Sequence, residues 1–342
     1  MATRNIIVIG ASMGGFEAFK RLVADLPPDI DASIFLVWHM SPHVEGILPK
    51  VLGEITTIPV AHAEHGEPIL PNRIYVARPD HHLLVDATHV HVTRGPRENR
   101  FRPAIDPLFR SAAYAFGNRV IGAVLTGALD DGTAGLWSIK RCGGIAIAQD
   151  PEDADMPSMP ENAIREVAID YIVPISEMAA LLARLCCETV DGNSEPEHAE
   201  RDKMGAEVRV AADENTFDVN IPQYGEVSKL SCPECQGVLT MLKDGQFSRY
   251  RCHTGHAFSP EALLEAISEK IENNLFAALR GVDEHVMLLN HMGDHFAEAN
   301  QRKEAARYFR KAREAQQRVV SIRRAIRASE DHDVIRVSEE RL

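Results

Sequence analysis

The chain has 342 residues, 45% hydrophobic and 25% charged, enough for two or three domains with ordinary cores. Its 37 Lys and Arg against 50 Asp and Glu give a formal net charge of −13, which argues against non-specific nucleic-acid binding, since phosphate contact needs clustered Lys and Arg. No run approaches the ~20 apolar residues of a membrane span, no secretion signal precedes the first apolar run, and the six cysteines form no secreted disulfide framework, so a cytoplasmic protein without membrane insertion is expected.

In chain order, the apolar run Ile6–Ile9, ending at Gly10, predicts a buried strand. A helical stretch over 14–25, a strand over 33–38 and a short helix over 46–52 follow. Short strands are expected at 73–77, 82–85 and 89–93, and a helix at 106–116 with Asp106 as its cap. A long buried strand at 119–126, a helix at 132–141, strands at 144–148 and 171–173, and a helix at 176–187 close the unit. Strands alternating with helices predict an α/β fold, a doubly wound, mostly parallel sheet in a Rossmann-like three-layer arrangement over 1–188. Residues 59–93 read as a hairpin-like insertion on that plan.

Periodicity fades over 189–222, which reads as a flexible linker. A cysteine-bearing module occupies 223–258, and 259–330 is helical. Gly293 reads as a break between two long helices, and Leu275, Leu279, Val282, Val286 and Leu289 form a stripe at helical spacing. Ten Lys and Arg between Arg302 and Arg327 make a basic stretch. It reads first as a solvated helix face, and second as a surface for an acidic partner or a coiled-coil dimer. The oligomeric state stays open.

Gly10-Ala11-Ser12-Met13-Gly14-Gly15 follows the first strand and opens the first helix. One reading is a phosphate-binding turn. However, Ser12 stands where that fingerprint has its second glycine, and His39 stands near the place of its ribose-binding acid. The other reading is a nucleophile on a strand-to-helix turn, with backbone N–H groups at the helix start facing a developing oxyanion. In a parallel sheet, ligands bind beyond the carboxyl ends of the strands. Ser12, His39 and the pair Asp130-Asp131 each lie just past such an end. A nucleophile, a base and an orienting acid can therefore converge. Spacing does not separate Asp130 from Asp131, and either could cap the helix that follows.

Further stretches accompany this turn: His39-Met40-x-Pro42, Ala63-Glu64-His65-Gly66 with Leu70-Pro71, Tyr75-Val76-Ala77 followed by His82, Arg102-Pro103-Ala104-Ile105-Asp106-x-Leu108-Phe109, Leu125-Thr126-Gly127-x-x-x-Asp131-Gly132, Ala148-Gln149 and Met159-Pro160. This ordered set resembles the catalytic domain of the chemotaxis protein-glutamate methylesterases (CheB-type) over about residues 4–188. The resemblance implies Ser12 as nucleophile, His39 as base and Asp131, rather than Asp130, as the acid that orients it. It implies hydrolysis of glutamate γ-methyl esters on a chemoreceptor-type protein through an acyl-enzyme, with no catalytic cofactor, and deamidation of glutamine as a related reaction. Met13 stands where the family usually has Thr, Ala128-Leu129 where it has Met-Gly, and Arg78-Pro79 where it has Pro-Gly; these departures bear on substrate choice. They also motivate the alternative of a non-enzymatic adaptor using the same fold. Only about four residues precede the first catalytic strand, so the phospho-receiver domain usual in the family is not expected, and activity would be constitutive or regulated through the C-terminal half.

Cys232-Pro-Glu-Cys235 and Cys252-His-Thr-Gly-His256 have the spacing C-x2-C-x16-C-x3-H. Three thiolates and an imidazole make a closed tetrahedral zinc site with no open position for a catalytic water. His253 is the competing ligand to His256. A structural Zn2+ is expected in this zinc-ribbon-like module, because about 30 residues build little core without a metal. Cys142, Cys186 and Cys187 lack such spacing and are expected in core or helix.

Overall fold

All six residues of Ile6–Ala11 are buried, and this segment is the centre of a seven-stranded sheet. The computed structural model of the protein describes residues 2–40, 46–190, 196–213 and 219–339, with side chains up to 326. The chain divides into two compact units, Met1–Leu263 and Leu264–Leu342.

The first unit opens with β1 (Ala2–Thr3), β2 (Ile6–Ala11), α1 (Gly15–Ala24), β3 (Ser33–Trp38), α2 (Leu48–Gly53), β4 (Val60–His62) and β5 (Arg73–Val76). Then come β6 (His82–Val85), β7 (Val90–Thr93), α3 (Ile105–Phe116), β8 (Val120–Val124), α4 (Thr133–Arg141), β9 (Ile145–Gln149), α5 (Ser158–Glu166), β10 (Tyr171–Val173), α6 (Ile175–Cys186) and β11 (Thr189–Val190). It continues through α7 (His198–Ala211), β12 (Glu226–Ser231), β13 (Val238–Asp244), β14 (Phe247–Cys252) and β15 (Ala257–Phe258).

The main sheet has the order β10-β9-β8-β2-β3-β5-β4, and every pairing in it is parallel. Such strands are covered on both faces and read as continuous apolar runs. Ile7 and Ile9 join Phe19, Leu22 and Leu182 in one core, while Ile6 and Val8 join Leu108, Phe109 and Leu136 in the other. The chain leaves β2 toward β3 on one side and returns to β8 on the other. The crevice between these halves, at the carboxyl ends of β2, β3 and β8, is where ligands bind in such sheets.

Four sequence expectations need correction. The 59–93 segment is not wholly an insertion: β4 and β5 extend the parallel sheet, and only β6 and β7 form a separate antiparallel hairpin. Residues 189–222 are not simply a linker, because α7 buries Met204, Ala206, Glu207, Val210 and Ala211. Residues 191–195 and 214–218 of that stretch lie outside the described residues, as does Pro42. The cysteine module is not a separate body either. Its four-stranded antiparallel sheet β12-β13-β14-β15 belongs to the same compact unit as the parallel sheet. Finally, Gly293 is no break, since it lies inside the helix Pro260–Glu298.

α7 and the cysteine module are held to the parallel sheet's domain by buried charge. Arg251 on β14 donates to Glu98 Oε1 at 2.6 Å and Glu207 Oε1 at 3.1 Å. Arg249 reaches Glu207 through two hydrogen bonds of 2.7 and 2.9 Å and also pairs with Asp244. Arg110 on α3 donates to Glu98 at 3.2 Å. Burial opposes ionisation of Glu207, but Arg110, Arg249 and Arg251 outweigh it and hold the carboxyl well below its ordinary range. A buried ion cluster need not exceed an apolar core in stability, but stripping one partner leaves bare buried charge.

In the second unit, the remainder of Pro260–Glu298 packs against the helix Arg302–Glu339. Leu289, Ala312 and Ala315 are buried between them, and the Phe296 and Tyr308 rings stack at 5.2 Å. A side chain at 293 would strike the Phe309 ring, so glycine there permits close helix approach. The turn itself falls at 299–301, where Asn300 adopts φ 58°. The stripe Leu275, Leu279, Val282, Val286 and Leu289 is shielded more than its neighbours, as its spacing predicts. The Arg327 side chain lies outside the described residues. No described helix is long and apolar enough to cross a membrane.

Glu207→Ala strands three arginines without their shared carboxylate. It is expected to cost about 3–5 kcal/mol in urea unfolding, and a loss below about 0.5 kcal/mol would mean that solvent already screens the cluster.

Candidate active site

The turn that carries Ser12 is an extension of the sheet. The Ser12 N–H donates to Thr126 O at 2.9 Å and the His39 N–H to Ala11 O at 3.1 Å, so the ladder runs one step beyond the strands on both sides of β2. Gly14 then adopts φ 77°, and a Cβ there would lie 2.8 Å from Asp155. The chain reverses into α1 with the Gly15 N–H on Ser12 O at 2.9 Å. Trp38 Nε1 donates to the same carbonyl at 2.9 Å. The Thr126 hydroxyl donates to Met13 O at 2.9 Å, and the Thr126 N–H donates to Gln149 Oε1 at 2.9 Å.

Ser12, His39 and Asp131 meet on this frame. Ser12 Oγ lies 3.1 Å from His39 Nδ1, and His39 Nε2 lies 2.7 Å from Asp131 Oδ2. With Nε2–H donating to the carboxylate, Nδ1 carries the lone pair that faces the serine hydroxyl. Asp131 is 2% exposed. Its Oδ2 also accepts the Ile105 N–H at 2.7 Å, and its Oδ1 accepts Asn99 Nδ2 at 2.9 Å and the Gly132 N–H at 3.1 Å. Burial raises the cost of its charge, but His39 and these N–H donors outweigh it and hold the carboxyl below its ordinary value. The first turn of α3 thus serves as an anion site for Asp131.

Asp130 is separated from these three residues. Its Oδ1 accepts the Ser259 hydroxyl at 2.6 Å. Burial pushes its carboxyl up to about 7, against the Ser259 hydrogen bond and with help from the charges of Glu261 and Asp131. Asp106 is not the cap of its own helix. It accepts N–H bonds from Gly132 at 3.1 Å and Gly135 at 2.6 Å, and so ties α3 to the start of α4.

A cleft of about 540 Å³ opens over Ser12 and His39. Met13, Trp38, Ala128 and Leu129 supply apolar walls, and Arg97, Arg100 and Arg102 bring positive charge. Arg102 is held by Asp80 through bonds of 3.0 and 2.6 Å. Leu129 sits at φ 64°, a conformation that costs a branched side chain energy. Its carbonyl accepts Asn162 Nδ2 at 2.8 Å. Two residues at this site escape sequence reasoning. The Phe101 ring stacks on the His39 imidazole at 3.8 Å with 7° between planes, and Asn99 touches Asp131. Their only signal is a position just before the Arg102-Pro103 stretch.

The cysteine module gathers Cys232, Cys235, Cys252 and His256, whose ligand atoms all lie within 4.8 Å of one another. The Cys235 and Cys252 sulfurs are 3.6 Å apart, and His256 Nδ1 is 3.8 and 3.6 Å from the sulfurs of Cys232 and Cys252. A tetrahedron with Zn–S bonds of about 2.3 Å has edges of about 3.8 Å, so the donor set and its spacing fit that ion. Cys142 and Cys186 are buried and Cys187 is exposed at its helix end.

Comparison with known proteins bears on the parallel-sheet domain. Residues 7–182 match the family described as CheB methylesterase. A Leptospira interrogans protein, provisionally named a protein-glutamate methylesterase/protein-glutamine glutaminase, is 37% identical over 180 residues, which make up 52% of this chain and 93% of that protein. The Burkholderia pseudomallei protein-glutamate methylesterase/protein-glutamine glutaminase 1 is 38% identical over 190 residues, covering 54% of this chain and 52% of its own length. The crystal structure of the Thermotoga maritima CheB methylesterase catalytic domain superposes with a TM-score of 0.52 at 32% identity, over 54% of this chain and all of that one. The chain therefore belongs, through its parallel-sheet domain, to the CheB methylesterase family.

Proposed function

We propose that the protein is a serine hydrolase that removes methyl esters from glutamate side chains of chemoreceptor-type proteins in the cytoplasm, with Ser12, His39 and Asp131 as its catalytic triad. The observation that carries this reading is the unbroken chain from Ser12 Oγ through His39 to Asp131, at the floor of an open cleft.

His39 Nδ1 takes the proton of Ser12 as Oγ attacks the ester carbonyl carbon. The tetrahedral oxyanion develops beside the backbone N–H groups of the Met13-Gly14 turn and the start of α1, which suit it electrostatically. Asp131 stabilises the imidazolium and fixes the tautomer. His39 then protonates the departing methoxide, methanol leaves, and an acyl-Ser12 remains. Water, deprotonated by His39, attacks this ester, and the glutamate carboxylate is released as Ser12 regains its proton. An amide substrate would follow the same course with ammonia leaving, which is the glutaminase reaction. The arginines at the cleft favour an acidic partner surface and a carboxylate product. The adaptor alternative gives no role to a nucleophile and base in hydrogen-bond contact.

Cys232, Cys235, Cys252 and His256 would hold one structural Zn2+. Bound there, the ion would cross-link two turns of a small β-module and take no part in ester chemistry, since the four protein ligands leave no open position.

Four outcomes are expected. Ser12→Ala should lower methanol release from methyl-labelled receptor domains by about 10⁴-fold or more with the fold retained; equal release by the variant would remove Ser12 as nucleophile. Asp131→Asn should cost about 10³–10⁴ in kcat, whereas Asp130→Asn, which keeps an acceptor for Ser259, should stay within about tenfold of wild type. The latter also has a pH signature. A carboxyl raised to about 7 when folded, from an ordinary 3.8, binds more protons folded than unfolded between those values. Wild-type stability therefore falls as pH rises through that window, and Asp130→Asn should be more stable relative to wild type at pH 8 than at pH 5 by urea unfolding. Finally, elemental analysis should find one zinc per chain, lost in Cys232→Ser; a fully folded chain without metal would remove the structural assignment.

A further inference from the structure

The last strand of the cysteine module runs directly into the surroundings of the triad. Ala257, the residue after His256, donates its N–H to Arg97 O at 3.2 Å and accepts the Asn99 N–H on its carbonyl at 2.8 Å. Two residues on, the Ser259 N–H donates to Asn99 Oδ1 at 2.9 Å. With Asn99 Oδ1 taken by an N–H, its amide nitrogen is forced to face the other way. Its two hydrogens go to Asp131 Oδ1 at 2.9 Å and Asp106 Oδ2 at 3.0 Å. Asn99 is 5% exposed and adopts φ 48°, a backbone conformation that asparagine tolerates better than most residues.

The same loop reaches the triad a second time. Glu98 and Phe101 exchange backbone hydrogen bonds of 3.2 and 2.9 Å, closing a tight turn that presents the Phe101 ring to His39. Arg251, on the strand that carries Cys252, pins this turn through Glu98 and holds the metal-site turn through Gly255 O at 2.8 Å. The loop that orients the acid and buttresses the base thus has one side of its support in the parallel-sheet domain and the other in the cysteine module.

We propose that Asn99 is a positioning residue through which the Cys3His module sets the geometry of Asp131 and His39, so that ordering of this module by its metal governs turnover. The module therefore acts as a strut for the catalytic machinery. When β15 is seated, Asn99 fixes Asp131 and the imidazole is held between Asp131 and Phe101. When β15 is released, the Asn99 amide loses the N–H that sets its orientation. The nucleophile turn, built on β2 and β8, stays in place, so the effect falls on kcat more than on KM. The kinetic part of this inference rests on the esterase reading above; the structural part does not.

The test is a cycle on the full chain. Wild type and Asn99→Gly, each zinc-loaded and zinc-stripped, are compared for kcat and KM in methyl-ester hydrolysis. The downfield proton resonance of His39 Nε2–H is recorded on the same samples without substrate. Glycine keeps the positive φ, so the variant removes the amide without straining the backbone. Asn99→Gly with zinc should lose about 10–100-fold in kcat, with KM within about threefold and the resonance shifted. Stripping zinc from wild type should give a similar loss and a similar shift. Stripping it from Asn99→Gly should add less than about threefold, because the two changes interrupt one connection. A second variant, Asn99→Asp, keeps the acceptor for Ser259 but faces Asp131 with an acceptor, and should lose kcat with zinc still bound. The inference is overturned if Asn99→Gly keeps kcat within about twofold and the resonance unmoved, or if zinc removal multiplies the loss equally in both backgrounds. Should wild type hydrolyse no methyl ester, the esterase reading fails, and the resonance alone decides: a shift on zinc removal in wild type but not in Asn99→Gly upholds the strut, and no shift removes it.

Discussion

An anion with 2% of its surface exposed cannot stay charged without donors on every side, and Asp131 is such an anion. Its two oxygens collect the His39 imidazole, the first N–H groups of α3, the Gly132 N–H and the Asn99 amide. Each donor comes from a different part of the chain. The loop after β3, the start of α3, the start of α4 and the turn at 98–101 must therefore all be in register before the carboxylate is tolerated. Much of the architecture around the crevice can be understood as the set of supports that this charge requires.

The fate of the adjacent carboxylates follows from the same constraint. Asp106, next to a charge that is already stabilised, is pushed up by burial and by Asp131 itself. Asp130, one residue away, turns to the Ser259 hydroxyl and is likewise raised. Three neighbouring acids thus compete for one buried position rich in protein donors, and only Asp131 occupies it. Position among donors distinguishes Asp131 from its neighbour, and position is what the doublet Asp130-Asp131 conceals in the sequence.

The legible parts of the chain were those governed by short-range pattern. Ser12 and His39 stand one residue past the strands β2 and β3, and a parallel sheet brings such strand ends together whatever the loops do. Cys232, Cys235, Cys252 and His256 announce themselves by spacing. What was misread depends on long-range partners. α7 looked like a solvated linker because Glu207 and its charged neighbours carry no apolar period, yet Glu207 is buried against three arginines, two of them from β14. Asn99 and Phe101 carry no signal beyond their place before Arg102-Pro103, because their partners, Ala257, Ser259 and His39, lie far along the chain. Gly293 looked like a helix terminator, whereas its role is to admit the Phe309 ring of the opposing helix.

The orientation of the imidazole has a further consequence. His39 faces the serine with Nδ1, the nitrogen next to its own Cγ, so two side-chain torsions fix the base relative to the backbone. That backbone is bonded to Ala11 at the end of β2, within the register that pairs Ala11 with Trp38. The spacing of Ser12 and His39 is consequently a property of strand pairing, as durable as the core itself, while the placement of Asp131 depends on the largely buried turn at 98–101 and its supports. The two contacts of this imidazole therefore differ in ruggedness: under mild stress the protein would lose the one to Asp131 first, and keep the Ser12–His39 pair for as long as the domain stays folded.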